Sequence, residues 1–214
     1  MSSNVFLFAP NLIGYLRILL GMVAFGLFKD KPVLFTVLYC SSALLDAVDG
    51  HVARALNQSS TFGAVLDMVT DRASTLCLLM LIASKAGNQN YVTLAMQAFG
   101  AIDLASHYAQ MYAGVAIGSH SHKAGKALQE APWMLRLYYG NKAVLFALCA
   151  GEQLFLLSCF YKLNLFKILV FKQYDAVDIL LLSSMPLFAL KQLMNFLQFI
   201  NASRILATLD VVKA

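Results

Sequence analysis

The sequence predicts an all-α integral membrane protein, a bundle of six transmembrane helices in a single domain over residues 1–214. Three observations predict it. Of the 214 residues 60% are hydrophobic and 13% charged, with a mean hydropathy of +0.69. A globular chain is about 45–50% apolar and about 25% charged, so one modest core cannot bury this much apolar surface and lipid must be the solvent. The apolar residues also fall into six runs of bilayer-spanning length with short polar connections between them. Finally, the alternating pattern of a membrane barrel is absent, and helices are the remaining way to satisfy the backbone in lipid.

A span needs roughly 20 mostly apolar residues. The runs cover residues 12–28, 33–49, 62–84, 91–112, 143–161 and 177–200. The first two are separated by Lys29-Asp30-Lys31-Pro32, the second and third by the polar stretch 57–61. Gly87-Asn88-Gln89-Asn90 stands between the third and fourth, and a His/Lys-rich stretch, 119–129, follows the fourth. Such clusters are turn and loop signals. No internal repeat or low-complexity linker divides the chain.

The formal net charge is +5, and the basic residues lie in connections between apolar runs rather than along one stripe. They read as membrane-flanking charge, and no nucleic acid is expected as a partner. Cys40, Cys77, Cys149 and Cys159 sit in apolar runs without metal-like spacing and are expected to be free thiols packed as small hydrophobes. The N-terminal stretch has no basic region or small-residue cleavage site and is expected to stay in the mature chain. No lipidation or retention tail is visible, and the sequons at Asn57 and Asn201 are expected to carry no glycan.

Charged residues inside spans are costly and mark function by default. Most of the chain is expected to avoid them. The exception is the end of the second run and the start of the third, with Asp46, Asp49, Asp67 and Asp71 and with Arg54 and Arg72 nearby. Asp46 and Asp49 are i, i+3 and Asp67 and Asp71 are i, i+4, so each pair lies on one helix face. The connection is short, which makes the helices antiparallel neighbours and brings the four carboxylates together. Four like charges cannot stand bare in a low dielectric. Oxygen-only clusters suit hard cations such as Mg²⁺, Mn²⁺ or Ca²⁺, and two of them about 3.5–4 Å apart would serve phosphoryl transfer. An aspartate here can also pair with Arg54 or Arg72, or line a cation path. Gly50 and Gly63, each expected at a helix turn toward the site, can serve close helix packing or the approach of backbone to a phosphate, and Arg54 suits bidentate pairing with a phosphate.

The residues Asp46-Ala-Val-Asp49-Gly50-His-Val-Ala53-Arg54, followed at fixed spacing by Gly63, Asp67 and Asp71, match D-x-x-D-G-x-x-A-R-x8-G-x3-D-x3-D. In this the chain resembles the CDP-alcohol phosphotransferases. Pro10-Asn11-Leu-Ile-Gly14-Tyr-Leu-Arg17 resembles that family's first-helix element P-N-x-x-T-x-x-R, with Gly14 in place of the usual hydroxyl residue. Near-full-length similarity, including Asp103 to His107 and Ser121-His122-Lys123, is greatest to the eukaryotic branch that makes phosphatidylinositol. The resemblance implies a six-helix enzyme, homodimeric, of the endoplasmic reticulum membrane, that transfers the phosphatidyl group of CDP-diacylglycerol to myo-inositol and releases CMP, with Mg²⁺ or Mn²⁺ as cofactor.

By the same resemblance, Asp46, Asp49 and Asp67 are metal ligands, and Asp71 is a ligand or the base that takes the inositol hydroxyl proton. Gly50, Ala53 and Arg54 approach the cytidine diphosphate, Asn11 and Arg17 lie near its diphosphate or the pocket entrance, and Ser60 adds a hydroxyl. His107, His122, Lys123 and Arg136 are candidates for the inositol side or interfacial polar residues. Two other readings stand beside this one: a family member with serine, glycerol phosphate or choline as acceptor, and a divalent-cation transporter. Loop charge sets no orientation: with the N-terminus cytosolic, seven basic residues fall inside and six outside. The nucleotide of the substrate does, because it cannot cross the bilayer. The active site, both termini and the connection 114–141, with His120, are expected on the cytosolic side.

Overall fold

The computed structural model describes residues 4–118, 131–163, 170–171 and 174–213. Its elements are α1 (Ala9–Leu27), α2 (Pro32–Ala55), α3 (Thr61–Lys85), α4 (Asn90–Ile117), a short α5 (Trp133–Gly140), α6 (Lys142–Leu163) and α7 (Ala176–Lys213). A two-residue antiparallel ribbon, β1 (Val170–Phe171) with β2 (Tyr174–Asp175), precedes α7. Each predicted span has become a helix. Neither α5 nor the ribbon was expected, because each is shorter than the periodicity a sequence pattern needs.

Among the described residues, four helices are both long and apolar enough to cross a membrane: α1, α2, α6 and α7. The other two, α3 and α4, have the length, with 25 and 28 residues. Their apolar character is diluted by Asp67, Asp71 and Arg72 in α3 and by Gln97, Asp103, His107 and Gln110 in α4. The solvent-facing pattern is inverted relative to a water-soluble protein. Leu12, Leu19, Met22, Val33, Val37 and Leu44 are exposed, whereas Asn11, Arg17, Asp49, Glu152, Lys191 and Asn195 are buried. Lipid favours this arrangement, since polar side chains there find partners only inside the protein.

The chain divides into two compact units at Cys77/Leu78. In the first, α1 packs along α2, with Phe25, Phe35 and Tyr39 in mutual ring contact at 5.6–5.9 Å. Close approach of α1 to α3 is marked at Gly14, where a Cβ would stand 2.9 Å from Leu66. The end of α2 is a Schellman motif: Asn57 takes the left-handed conformation (φ 52°), Gln58 N–H donates to Ala53 O at 2.9 Å and Asn57 N–H to Arg54 O at 3.4 Å. That turn sends the Gln58 side chain to the start of α1, where its Oε1 accepts from Ala9 N–H at 2.8 Å. Ser60 caps α3 through Gly63 N–H at 3.0 Å.

The second unit is built on α7, against which α4 and α6 pack. Phe188 stacks on Phe155 at 4.3 Å and meets Phe99 edge-on at 4.9 Å. Asn141 caps α6 and Asp175 caps α7 through their side-chain oxygens. Gly118, just after α4, has φ 78°, which an L side chain adopts only with strain. This unit corrects the expectation that charge inside the spans is confined to the aspartate cluster. Lys191 of α7 is wholly buried, with Nζ 2.6 Å from Asn195 Oδ1, 3.8 Å from Asp103 of α4 and 3.9 Å from Glu152 of α6. Asn195 in turn donates to Asp103, and Gln192 to Glu152. Single charges isolated in apolar runs were the available signal. The four cysteines carry free thiols, and Cys77 is exposed rather than packed.

Candidate active site

The first unit assembles the predicted cluster. Asp46 and Asp49 lie on α2, Asp67 and Asp71 on α3, and all four converge on one guanidinium, that of Arg17 on α1. Nη1 donates to Asp49 Oδ2 at 2.9 Å and to Asp67 Oδ1 at 2.6 Å, and Nη2 to Asp71 Oδ1 at 2.5 Å. Nη2 also stands 2.7 Å from Asp46 Oδ1, an ion pair without hydrogen-bond alignment. Arg17 Nε and Asp46 Oδ1 are buried without a hydrogen-bond partner. The Arg17 side chain is 3% exposed, while those of Asp46 and Asp67 are 40% and 47% exposed and open to a ligand. Ser42 Oγ donates to the Arg17 carbonyl at 3.0 Å and ties the α1 backbone to α2 at this level.

Asp46, Asp49 and Asp67 each offer an oxygen within 4.8 Å of the others. Three carboxylates without sulfur or imidazole form a donor set for a hard divalent cation. The fit is good. Asp71 is outside that group of three and has Arg72 Nη2 at 3.6 Å from its second oxygen.

Beside the cluster lies a pocket of about 170 Å³. Asp49 and Asp67 form part of its wall, and the rest includes Asn11, Gly50, Ala53, Arg54, Ser60 and Gly63. Gly50 stands within the continuous helix α2 rather than at a turn after it. A Cβ there would meet only the Arg54 guanidinium, at 3.6 Å, so packing within the protein does not demand glycine. At Gly63 a Cβ would stand 2.7 Å from Asn11 Oδ1 and 3.1 Å from Ser60 Oγ. The Asn11 amide is itself held by donation to Val5 O at 2.6 Å. Arg54 is exposed, and among the described residues it pairs with no carboxylate.

The matching family profile, CDP-alcohol phosphatidyltransferase, covers residues 7–195, and with them the pocket wall and all four aspartates. The chain belongs to this family. Within it, the chain is 40% identical to the human CDP-diacylglycerol–inositol 3-phosphatidyltransferase over 97% of its own length and 95% of the relative's. It is 40% identical to enzyme 1 of that name from Arabidopsis thaliana, covering 98% and 93%, and 39% identical to the Candida albicans enzyme, covering 97% and 85%. No solved structure matches the chain.

In this family member the remaining residues singled out by sequence separate into four groups. Asn11, Gly50, Ala53, Arg54 and Ser60 share the pocket wall. Arg17 lies against the carboxylates instead of in that wall. His107 and Arg136 belong to the second unit, where His107 Nδ1 donates to Asp103 O at 2.8 Å and Arg136 is exposed on α5. His120, His122 and Lys123 lie outside the described residues. Gln58, a further wall residue, falls in the unspecified stretch of the signature, and its only sequence-level signal is its position after a helix end.

Proposed function

We propose that the chain is a CDP-diacylglycerol–inositol 3-phosphatidyltransferase of the endoplasmic reticulum membrane. It transfers the phosphatidyl group of CDP-diacylglycerol to myo-inositol and releases CMP. The observation that carries the reading is the shared wall: Asp49 and Asp67 belong both to the carboxylate cluster and to the pocket bearing Gly50, Ala53 and Arg54. A pyrophosphate bound in that pocket lies next to the donor set. The printed names of relatives alike over nearly the whole chain support inositol as the acceptor.

Asp46, Asp49 and Asp67 hold Mg²⁺ or Mn²⁺, with Asp71 as a further ligand or as the base. A dication held by these carboxylates would supply positive charge beside the pyrophosphate and the departing CMP. Arg54 pairs with phosphate oxygens through its planar fork. Gly50 and Ala53 present little bulk, so the nucleotide lies close against α2. Ser60, already an acceptor for Gly63 N–H, can offer its hydroxyl hydrogen to the ligand. Asp71, outside the group of three, is suited to take the proton of the attacking inositol hydroxyl. The acceptor alcohol is a weak nucleophile, and holding it beside this base supplies rate through orientation.

The domain is one membrane-embedded catalytic unit over residues 1–214, with α1 to α4, α6 and α7 as six spans. At 1.5 Å per residue α3 and α4 are roughly 37 and 42 Å long, more than the ~30 Å hydrocarbon core requires. The enzyme works as a homodimer, with His107, His122, Lys123 and Arg136 as acceptor-side candidates. The test is CMP release in detergent from CDP-diacylglycerol, with and without myo-inositol. Release that depends on both substrates supports the reading. Release driven by serine or glycerol phosphate instead would reassign the acceptor.

A further inference from the structure

We propose that Arg17 is a built-in competitor for the divalent cation: its guanidinium and the metal claim the same carboxylate oxygens, and metal binding displaces it. The inference rests on the reading of the aspartate cluster as the metal site. Both terminal nitrogens of Arg17 are committed to the cluster, at 2.5–2.9 Å from one oxygen each of Asp46, Asp49, Asp67 and Asp71. Three of those residues offer oxygens within 4.8 Å of one another. Arg17 already holds one oxygen of each of those three residues, so a dication ligated through those oxygens competes with the guanidinium for them.

The exchange is physically balanced. One monovalent cation against four carboxylates leaves the cluster short of neutrality, so a dication of higher charge density has a net attraction to it. The pairing it replaces is incomplete, because Nε has no acceptor and the Asp46 contact is not aligned as a hydrogen bond. Movement requires only the side chain, since the Arg17 backbone is fixed to α2 through Ser42. Arg17 thereby keeps the cluster compatible with a low dielectric and lowers its apparent metal affinity by the fraction of time it holds the oxygens.

Arg17→Lys is the discriminating variant. It keeps the charge but replaces a planar fork that reaches four carboxylates with a single ammonium. Full-length wild type, Arg17→Lys and Asp67→Asn are purified in detergent, checked for monodispersity, and titrated with Mn²⁺ while free ion is followed by electron paramagnetic resonance. Arg17→Lys is expected to bind about tenfold more tightly than wild type. Equal or weaker binding by Arg17→Lys, with wild type binding and Asp67→Asn impaired, overturns the inference and leaves the metal site standing. Binding by wild type and Arg17→Lys no better than by Asp67→Asn overturns both. Wild type alone gives a second readout that does not depend on a variant's folding: modification of Arg17 by phenylglyoxal, read by mass spectrometry. Saturating Mg²⁺ should speed it several-fold, and an unchanged or slower rate overturns the displacement.

Discussion

Gly63 faces the side-chain amide of Asn11 so closely that a Cβ would stand 2.7 Å from its oxygen. Since Asn11 is tethered to Val5 O, it cannot yield without losing that bond. Gly63→Ala should therefore cost about 1–3 kcal/mol through overpacking and weaken CDP-lipid binding by moving Asn11. Gly50→Ala should behave differently, because its Cβ meets only the far end of Arg54 at 3.6 Å. It should keep wild-type thermal stability and lose transferase activity. Melting curves and CMP release measured on the two variants check the contrast, and equal destabilisation would count against it.

Asp46→Asn and Asp67→Asn should each lower the transferase rate by about 10²–10³-fold, the scale for loss of a charge-stabilising group. Both should elute as folded protein, because Arg17 retains three carboxylates and the repulsion among them falls. A fully active Asp67→Asn enzyme removes the site assignment.

Arg54→Lys should raise KM for CDP-diacylglycerol about tenfold, with a smaller change in kcat, since an ammonium cannot reproduce a bidentate fork. Arg54 is exposed and pairs with no carboxylate among the described residues, so the fold should not suffer. An unchanged KM makes it a helix-flanking charge.

Lys191→Met takes the buried ammonium from between Asp103 and Glu152. Removing one partner of a buried charge network costs about 3–5 kcal/mol. Faster hydrogen exchange is expected in α4, α6 and α7, and Lys191→Met/Glu152→Gln should recover part of the loss. A variant as stable as wild type would mean that the network contributes nothing to the second unit.

Membrane orientation can be read from single cysteines at positions 58 and 88, in a chain whose four native cysteines are replaced. In sealed microsomes an impermeant reagent should label position 58, beside the pocket wall, and spare position 88 at the opposite end of α3. Labelling of 88 alone would invert the topology.

The aspartate signature and the six long helices were legible in the sequence because each rests on local rules. Spacing of i, i+3 and i, i+4 puts carboxylates on one face, and lipid demands continuous apolar runs. The ribbon and α5 were not legible, since two strand residues and eight helical ones carry too little pattern. Asn57 at the end of α2 was read as a polar connection, and the left-handed turn that aims Gln58 at Ala9 was not visible.

What the sequence by itself determined is the membrane as solvent, the helices, and the residue types of an acidic phosphate-handling site, because composition and spacing act over a few residues. Only the tertiary structure decided which cation meets those carboxylates. Arg17 is 29 residues before Asp46 and 54 before Asp71, and no local rule joins them. They meet because the Arg17 guanidinium, buried on α1, finds its carboxylate partners on α2 and α3, where a low dielectric makes an unpaired buried charge costly. The same physics placed Lys191 of α7 beside Asp103 and Glu152, which arrive from two other helices, in the second unit.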